Sequence, residues 1–204
     1  MNWRFAYTIG FHPWEDAASN QPFVEKIRDI FAREEYGREP PYGRALDLGT
    51  GSGIWGIELA KRGWQVTGVD IVEKALLRAR KRVERAGVDM RLVNGSVTAL
   101  QEAGVGSGYR LVLDTGTFHD LTGDRRMAMG RAVNSVATPD ATVLLLVWPK
   151  RRRLPLIRGA DRCDVEAAFP GWAIDSVEPS HFQLPKALQM IVRPDEEWYR
   201  LVRA

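Results

Sequence analysis

Short apolar runs alternate along the chain with stretches whose apolar residues recur at helical spacing. Five of these runs predict strands, at 44–48, 65–69, 90–93, 109–113 and 142–148. Helical patterns lie between most of them, and Gly63 and Gly87 end two of the predicted helices. Such alternation is typical of an α/β protein whose mostly parallel sheet carries helices on both faces.

The C-terminal part changes style. Residues 173–177 and 188–192 are strand-like, and the interval between them is too short for a helical crossover. The last two strands should therefore pair as an antiparallel hairpin, which brings the predicted sheet to seven strands.

The N-terminal part divides at the first predicted helix, which begins at Pro22. We expect one domain at 22–204, preceded by an aromatic extension at 1–21. Our hypothesis for this extension is a lid over the site; the alternative is that it covers one edge of the sheet.

Composition narrows the class of protein. Of 204 residues, 45% are hydrophobic and 27% charged, an ordinary globular balance. The apolar run at 141–148 is too short to span a bilayer, and the N-terminus does not resemble a signal peptide. A single cysteine, Cys163, excludes an intrachain disulfide. We expect a cytoplasmic enzyme without a membrane span or a bound metal.

Net charge changes this picture little. The formal charge is +3, and part of the basicity lies in the run Lys150-Arg151-Arg152-Arg153. The run could meet an anionic acceptor or a phosphate, but four basic residues are weak evidence for nucleic acid, which we consider an improbable partner.

Chemistry concentrates where the first strand turns into a helix through Asp47-Leu48-Gly49-Thr50-Gly51-Ser52-Gly53. Such glycines let a backbone approach a ligand closely. The overlapping segment 51–56 also satisfies G-x-G-x-x-G, so the spacing alone admits a dinucleotide or S-adenosylmethionine. Asp47 favours S-adenosylmethionine, since it suits an ammonium group and would repel a pyrophosphate, and the predicted terminal hairpin points the same way. Asp70 is placed to accept ribose hydroxyls from either ligand.

On these residues the chain resembles the class I S-adenosylmethionine-dependent methyltransferases, a Rossmann-like fold. The glycine loop is similar to that family's first motif, 68–71 to its acidic second motif, and 111–114 to its fourth-strand motif. The stretch 114–119, like Pro13-Trp14-Glu15, is similar to the small-molecule branch of thiopurine methyltransferase and ubiquinone-type enzymes.

The resemblance implies a role for each matching position. The cofactor would contact Asp47, Gly49, Thr50, Gly51, Asp70, Ile71, Ser96, Val97 and Asp114. Asp47 and Gly49 would hold the methionine end, Ile71 would pack on the adenine, and Asp114 would lie near the methyl group. Many relatives carry an aspartate where Ser96 stands, so a serine hydroxyl or the Val97 backbone would have to bind the adenine.

The acceptor is expected to be small and largely apolar or aromatic, with O-methylation favoured. His119 is the candidate general base, together with Asp114 as a catalytic residue; the alternatives are a backbone-bonded histidine and a structural cap. Further histidine candidates are His12 and, more weakly, His181. The expected acceptor-contacting residues are Trp14, Phe118, His12 and Trp148.

Three other functions stay open at this point. Nucleobase and glutamine methyltransferases use an Asn/Asp-Pro-Pro-aromatic motif after strand four, where this chain reads Asp114-Thr115-Gly116-Thr117. The missing motif weakens an RNA or protein methyltransferase, which stays an alternative. A nicotinamide-dependent oxidoreductase and a non-catalytic cofactor-binding module are the other two. The oligomeric state is not predicted.

Overall fold

A computed structural model describes residues 18–150, 158–183 and 195–204. Its strands are β1 (Arg44–Leu48), β2 (Gln65–Asp70), β3 (Met90–Asn94), β4 (Tyr109–Asp114), β5 (Ala137–Val147), β6 (Trp172–Pro179) and β7 (Glu197–Arg203). Its α-helices are α1 (Gln21–Glu35), α2 (Ile54–Arg62), α3 (Glu73–Ala86), α4 (Gly123–Val136) and α5 (Arg162–Ala168).

The seven strands form one sheet in the order β3-β2-β1-β4-β5-β7-β6. Pairing is parallel from β3 through to β5, whereas β7 runs antiparallel to both β5 and β6. The predicted fold, a Rossmann-like seven-stranded sheet with an antiparallel C-terminal pair, is confirmed.

Alternating side chains place one apolar core on each face of the sheet, as the pleat requires. On β1, Leu46 and Leu48 belong to a core that includes residues of α4 and α5. Ala45, which precedes Leu46 and faces the other side of the sheet, belongs to a second core that includes residues of α1 and α2. The central strands are thus buried on both sides, which explains their nearly continuous apolar sequences.

The predicted antiparallel pairing at the C-terminus is confirmed, but the position of its second strand differs from the prediction. Strand β6 includes the predicted 173–177, but its partner β7 occupies 197–203, a segment that pattern reasoning left unassigned. The predicted strand at 188–192 lies outside the described residues. Helix α5 was also missed, because its seven residues are too few to show a helical period; a capping box between Asp161 and Asp164 marks its start.

Helix α1 is held to the sheet by buried carboxylates at its last turn. Glu34 receives the Arg200 Nε from β7 at 2.7 Å. Glu35 receives the Arg62 Nε at 2.7 Å and the Trp64 indole N–H at 3.0 Å. Both carboxylates are almost fully buried, so the ion pairs compensate for their lost hydration.

Candidate functional site

The strand order reverses between β1 and β4, because β1 continues to β2 on one side while β4 continues to β5 on the other. In open parallel sheets such a switch point leaves a crevice at the carboxyl ends of the strands. Three aspartates stand at or near those ends: Asp47 on β1, Asp70 on β2 and Asp114 on β4. The loop that follows each strand completes the candidate site.

The glycine loop after β1 has the backbone conformation that its sequence predicts. Gly49, Gly51 and Gly53 all have positive φ angles, of 64°, 55° and 81°. A Cβ on Gly49 would overlap the hydroxyl oxygen of Thr117, so the loop after β4 lies directly against this one. Glycine is required here by backbone conformation and by close approach together.

Asp47 is the most perturbed group of the site. It is 2% exposed, and its Oδ2 accepts a hydrogen bond from the Thr50 hydroxyl at 2.6 Å. Its Oδ1 has no hydrogen-bond partner among the described residues, nor does the buried Ser52 hydroxyl in the same loop. Burial, with repulsion from Asp114 and Asp70, raises the pKa of Asp47 to about 7.

Asp70 ties the end of β2 to the glycine loop. Its Oδ2 accepts from the Gly51 backbone N–H at 2.9 Å and its Oδ1 from the Val72 N–H at 2.8 Å. Burial raises its pKa, although these backbone donors oppose the shift. Ile71 beside it is 45% exposed, which makes it one of the few uncovered large apolar side chains of the described residues.

The turn after β3 approaches the same end of β2. The Gly95 N–H and the Asn94 side chain both donate to the Asp70 carbonyl, at 3.0 and 3.2 Å. The hydroxyls of Ser96 and Thr98 are 2.8 Å apart, and Ser96 also accepts from the Thr98 N–H. Val97 is 7% exposed and packs in the core, so at this position the half-buried Ser96 offers the polar group.

Asp114 caps the loop that follows β4. Its Oδ1 accepts from the backbone N–H groups of Gly116 and Thr117, at 2.8 and 2.6 Å, and its Oδ2 from Phe118 at 2.7 Å. The carboxylate is fully buried, which raises its pKa to about 6. These three bonds are the geometry of the structural cap that the sequence left as an alternative.

His119 lies in a 3₁₀ turn, Phe118–Asp120, and is 5% exposed. Its Nδ1 is 3.4 Å from the carbonyl oxygen of Leu146 on β5, and its ring centroid is 6.3 Å from that of Trp148. Burial lowers the pKa of the imidazole to about 4. The ring is therefore neutral near pH 7, and the bond to Leu146 favours a proton on Nδ1, which leaves Nε2 as an acceptor.

Arg126 on α4 was missed by sequence reasoning, which had no reason to single out one arginine of an amphipathic helix. It is 6% exposed and donates to the backbone carbonyls of Phe118, His119 and Gly159, at 3.2, 3.0 and 2.5 Å. It also forms an ion pair with Asp164 at 3.0 Å. One guanidinium thus joins the loop after β4 to the segment before α5.

The remaining predicted residues are placed unevenly. Phe118 is fully buried against Phe169 and beneath the Arg126 guanidinium, so it has no exposed surface to offer an acceptor. Trp148 is half-buried beside His119. His12 and Trp14 lie outside the described residues, as do Arg151, Arg152 and Arg153 of the basic run. Lys150 pairs with Asp161 and Asp164, at 2.8 and 2.7 Å.

The donor set fits S-adenosylmethionine better than a dinucleotide. Three desolvated carboxylates surround the glycine loop and favour a cationic ligand, because a positive charge would offset the burial and the mutual repulsion that raise the pKa of Asp47. The unpartnered Asp47 Oδ1 could accept from an ammonium group. A pyrophosphate would add negative charge to the same place.

Comparison with known proteins agrees with this geometry. Residues 45–140 match the methyltransferase domain family. Over 78 residues the chain is 31% identical to ribosomal RNA small subunit methyltransferase C of Alcanivorax borkumensis, a match that covers 38% of this chain and 23% of that protein. The chain spans between 22% and 37% of the length of the curated relatives considered.

Solved structures match over more of the chain. 1,6-Didemethyltoxoflavin-N1-methyltransferase of Burkholderia thailandensis superposes with a TM-score of 0.74 at 18% identity, covering 100% of this chain and 86% of that one. Magnesium protoporphyrin IX methyltransferase of Synechocystis PCC 6803, with bound S-adenosylhomocysteine, gives 0.73 at 18% identity, covering 98% and 96%.

Residues 45–140 thus match a methyltransferase domain, and the fold around them is the Rossmann-like fold of S-adenosylmethionine-dependent methyltransferases. The sequence-based prediction of this class and cofactor is confirmed; the thiopurine or ubiquinone-type branch stays a prediction. Within the described residues, no helix has the length and apolarity needed to cross a membrane. That part of the chain also contains no group of three His, Cys, Asp or Glu residues suited to a metal ion.

Proposed function

We propose that the protein transfers the methyl group of S-adenosylmethionine to a small, largely apolar or aromatic acceptor, with oxygen as the favoured acceptor atom. The main observation in support of this methyl donor is the buried Asp47 Oδ1 beside the glycine loop, which has no hydrogen-bond partner among the described residues. The bound cofactor supplies a methyl group on a sulfonium, which is an excellent leaving group. The protein then has to align the acceptor and exclude water.

The choice of a small acceptor is supported by how the chain matches its neighbours. Two solved structures that cover 98% and 100% of this chain are named for magnesium protoporphyrin IX and for 1,6-didemethyltoxoflavin, and neither acceptor is a macromolecule. The match to the ribosomal RNA enzyme covers 38% of this chain.

His119 is the proposed acceptor-side residue, in a role that its burial shapes. With a pKa of about 4 it is a weak base, so it is better suited to accept a hydrogen bond from an acceptor hydroxyl than to hold a proton near neutral pH. Asp114 would act by holding the turn that carries His119, since its carboxylate is bonded to three backbone N–H groups of that turn.

Two measurements test the proposal in order. Calorimetry should show saturable binding of S-adenosylhomocysteine and none of NAD; the reverse would support the oxidoreductase alternative. A methyl-transfer screen with phenols, thiols, heterocycles and carboxylic acids should then find turnover on one class. Cofactor binding without turnover on any acceptor would contradict the proposed activity.

Two histidine variants test whether His119 acts on the acceptor. His119→Ala should lower kcat on the best acceptor and leave the affinity for S-adenosylhomocysteine unchanged. His181→Ala, the other histidine of the described residues, is exposed and serves as the comparison. Full activity of His119→Ala would dismiss an acceptor-side role for this residue.

An RNA acceptor is the second candidate, favoured by the identity with the ribosomal RNA enzyme. The same screen should include a structured RNA. Methyl incorporation into RNA that exceeds incorporation into every small acceptor would replace the small-molecule proposal.

A further inference from the structure

A second concavity lies at the opposite edge of the sheet from the glycine loop. Its volume is about 320 Å³, within the range of small-ligand pockets. It is formed where α1 ends and where β4 and β5 begin, with the last residues of β7 as its side. Five arginines line it: Arg33, Arg38, Arg110, Arg200 and Arg203. Only two carboxylates, Glu34 and Asp140, line it with them.

Three of these arginines already have partners. Arg33 pairs with Glu178 at 2.5 Å, and Arg200 pairs with both Glu34 and Asp175, at 2.7 and 2.8 Å. Arg203 donates to the Asn134 side chain and stacks over the Trp172 ring. Their roles in holding α1, α4, β6 and β7 together are accounted for by these contacts.

Arg38 and Arg110 are different. Arg110 donates to the backbone carbonyls of Tyr42 and Glu34, at 2.6 and 3.3 Å, and lies over the Trp64 ring. Neither guanidinium has a carboxylate within ion-pair distance in the described part of the chain. Both act on Asp140 through longer-range attraction. Both line the same pocket. Desolvation and the nearby charge of Arg38 lower the pKa of Arg110.

We propose that this pocket binds a small phosphate monoester, with Arg38 and Arg110 as the two guanidinium groups that hold the phosphate. Two forked cations facing one cavity match a dianion with several acceptor oxygens. Tyr36, which is 89% exposed at the rim, offers an aromatic surface to the organic part of the ligand.

The surroundings favour a small ligand over a nucleic acid. A polynucleotide needs a basic track for successive phosphates. Here Glu34 and Asp140 interrupt the arginines, and Asp175 and Glu178 neutralise those nearest to β6. The pocket can therefore hold one doubly charged group, whereas these carboxylates would repel the neighbouring phosphates of a polynucleotide.

The test is calorimetric titration of the full-length protein with phenyl phosphate, inorganic phosphate and phenol. We expect one saturable site for phenyl phosphate, weaker binding of inorganic phosphate and none of phenol. Arg38→Gln should weaken phenyl phosphate binding by about tenfold, as expected for loss of a charge-assisted pair. Arg85→Gln, an exposed arginine on α3 that does not line the pocket, should bind like the wild type.

Affinity for S-adenosylhomocysteine should be unchanged in both variants, which shows that Arg38→Gln is folded and separates this site from the cofactor site. Absence of saturable phenyl phosphate binding, or equal binding by wild type and Arg38→Gln, would overturn the proposal. So would Arg38-dependent binding of a single-stranded oligonucleotide that is tighter than that of phenyl phosphate.

Discussion

Replacing Asp47 by asparagine should make the ligand-free protein more stable at alkaline pH while it damages the cofactor site. The wild-type carboxyl is 2% exposed, and its pKa is raised from the ordinary value of 3.8 to about 7. The folded state thus holds a proton that the unfolded chain releases, so stability falls as pH rises from about 4 to about 7 and stays lower above that.

The magnitude follows from the shift. Raising the pKa of Asp47 from 3.8 to about 7 lowers the free energy of unfolding by about 4 kcal/mol once the carboxyl is ionised in both states, because each pKa unit corresponds to about 1.36 kcal/mol. Between pH 5 and pH 8 the cost rises by about 3 kcal/mol. Asparagine can still accept from Thr50, but its amide would replace an oxygen that has no partner, which adds a penalty that does not vary with pH.

Urea unfolding of both proteins without ligand, at pH 5 and at pH 8, measures the effect. The free energy of unfolding of Asp47→Asn relative to wild type should rise by about 3 kcal/mol between the two pH values. The exposed Asp89→Asn controls for the loss of one carboxylate. Affinity for S-adenosylhomocysteine should fall in Asp47→Asn. A stability difference that does not change with pH, or unchanged affinity, would refute the reasoning.

Three further outcomes are expected. Gly49→Ala should lose more stability than Gly37→Ala, because both glycines have positive φ but only the first leaves no room for a Cβ beside Thr117; equal losses by thermal unfolding would argue against the close approach. Wild-type kcat should show no ionisation near 6.5 from His119, whose pKa is lowered to about 4, and a profile with its midpoint there that disappears in His119→Gln would contradict this. Arg126→Gln should lower the free energy of unfolding by about 3 kcal/mol, since three carbonyls and Asp164 lose their donor. A loss below about 1 kcal/mol in urea unfolding would contradict this role of Arg126.

The glycine loop and its two flanking carboxylates could be predicted because each depends on local sequence. A strand that ends in Asp47-Leu48-Gly49 turns where the glycines allow positive φ, and Asp70 follows from the end of the next apolar run. The spacing of apolar residues and the positions of glycine and proline therefore predicted the strands and helices through β5 to within a few residues. The exception is the start of β5, which lies at Ala137, five residues earlier than expected.

Other features were beyond local pattern. Strand β7 lies between β5 and β6, an arrangement that depends on pairing between segments far apart in sequence. The state of His119 depends on Leu146, and the carbonyls that hold Arg126 include that of Gly159. The phosphate-monoester pocket likewise combines residues of α1, β4, β5 and β7.

The methyl-donor side of this protein can be predicted from local sequence, because a loop that binds a cofactor through its backbone is encoded in a few consecutive residues. Which side chains are desolvated, and which charges lie close together, depends on the folded chain. Burial and Coulomb interactions depend on distance in space, so the raised pKa of Asp47, the neutral His119 and the neighbouring charges of Arg38 and Arg110 arise when distant segments meet.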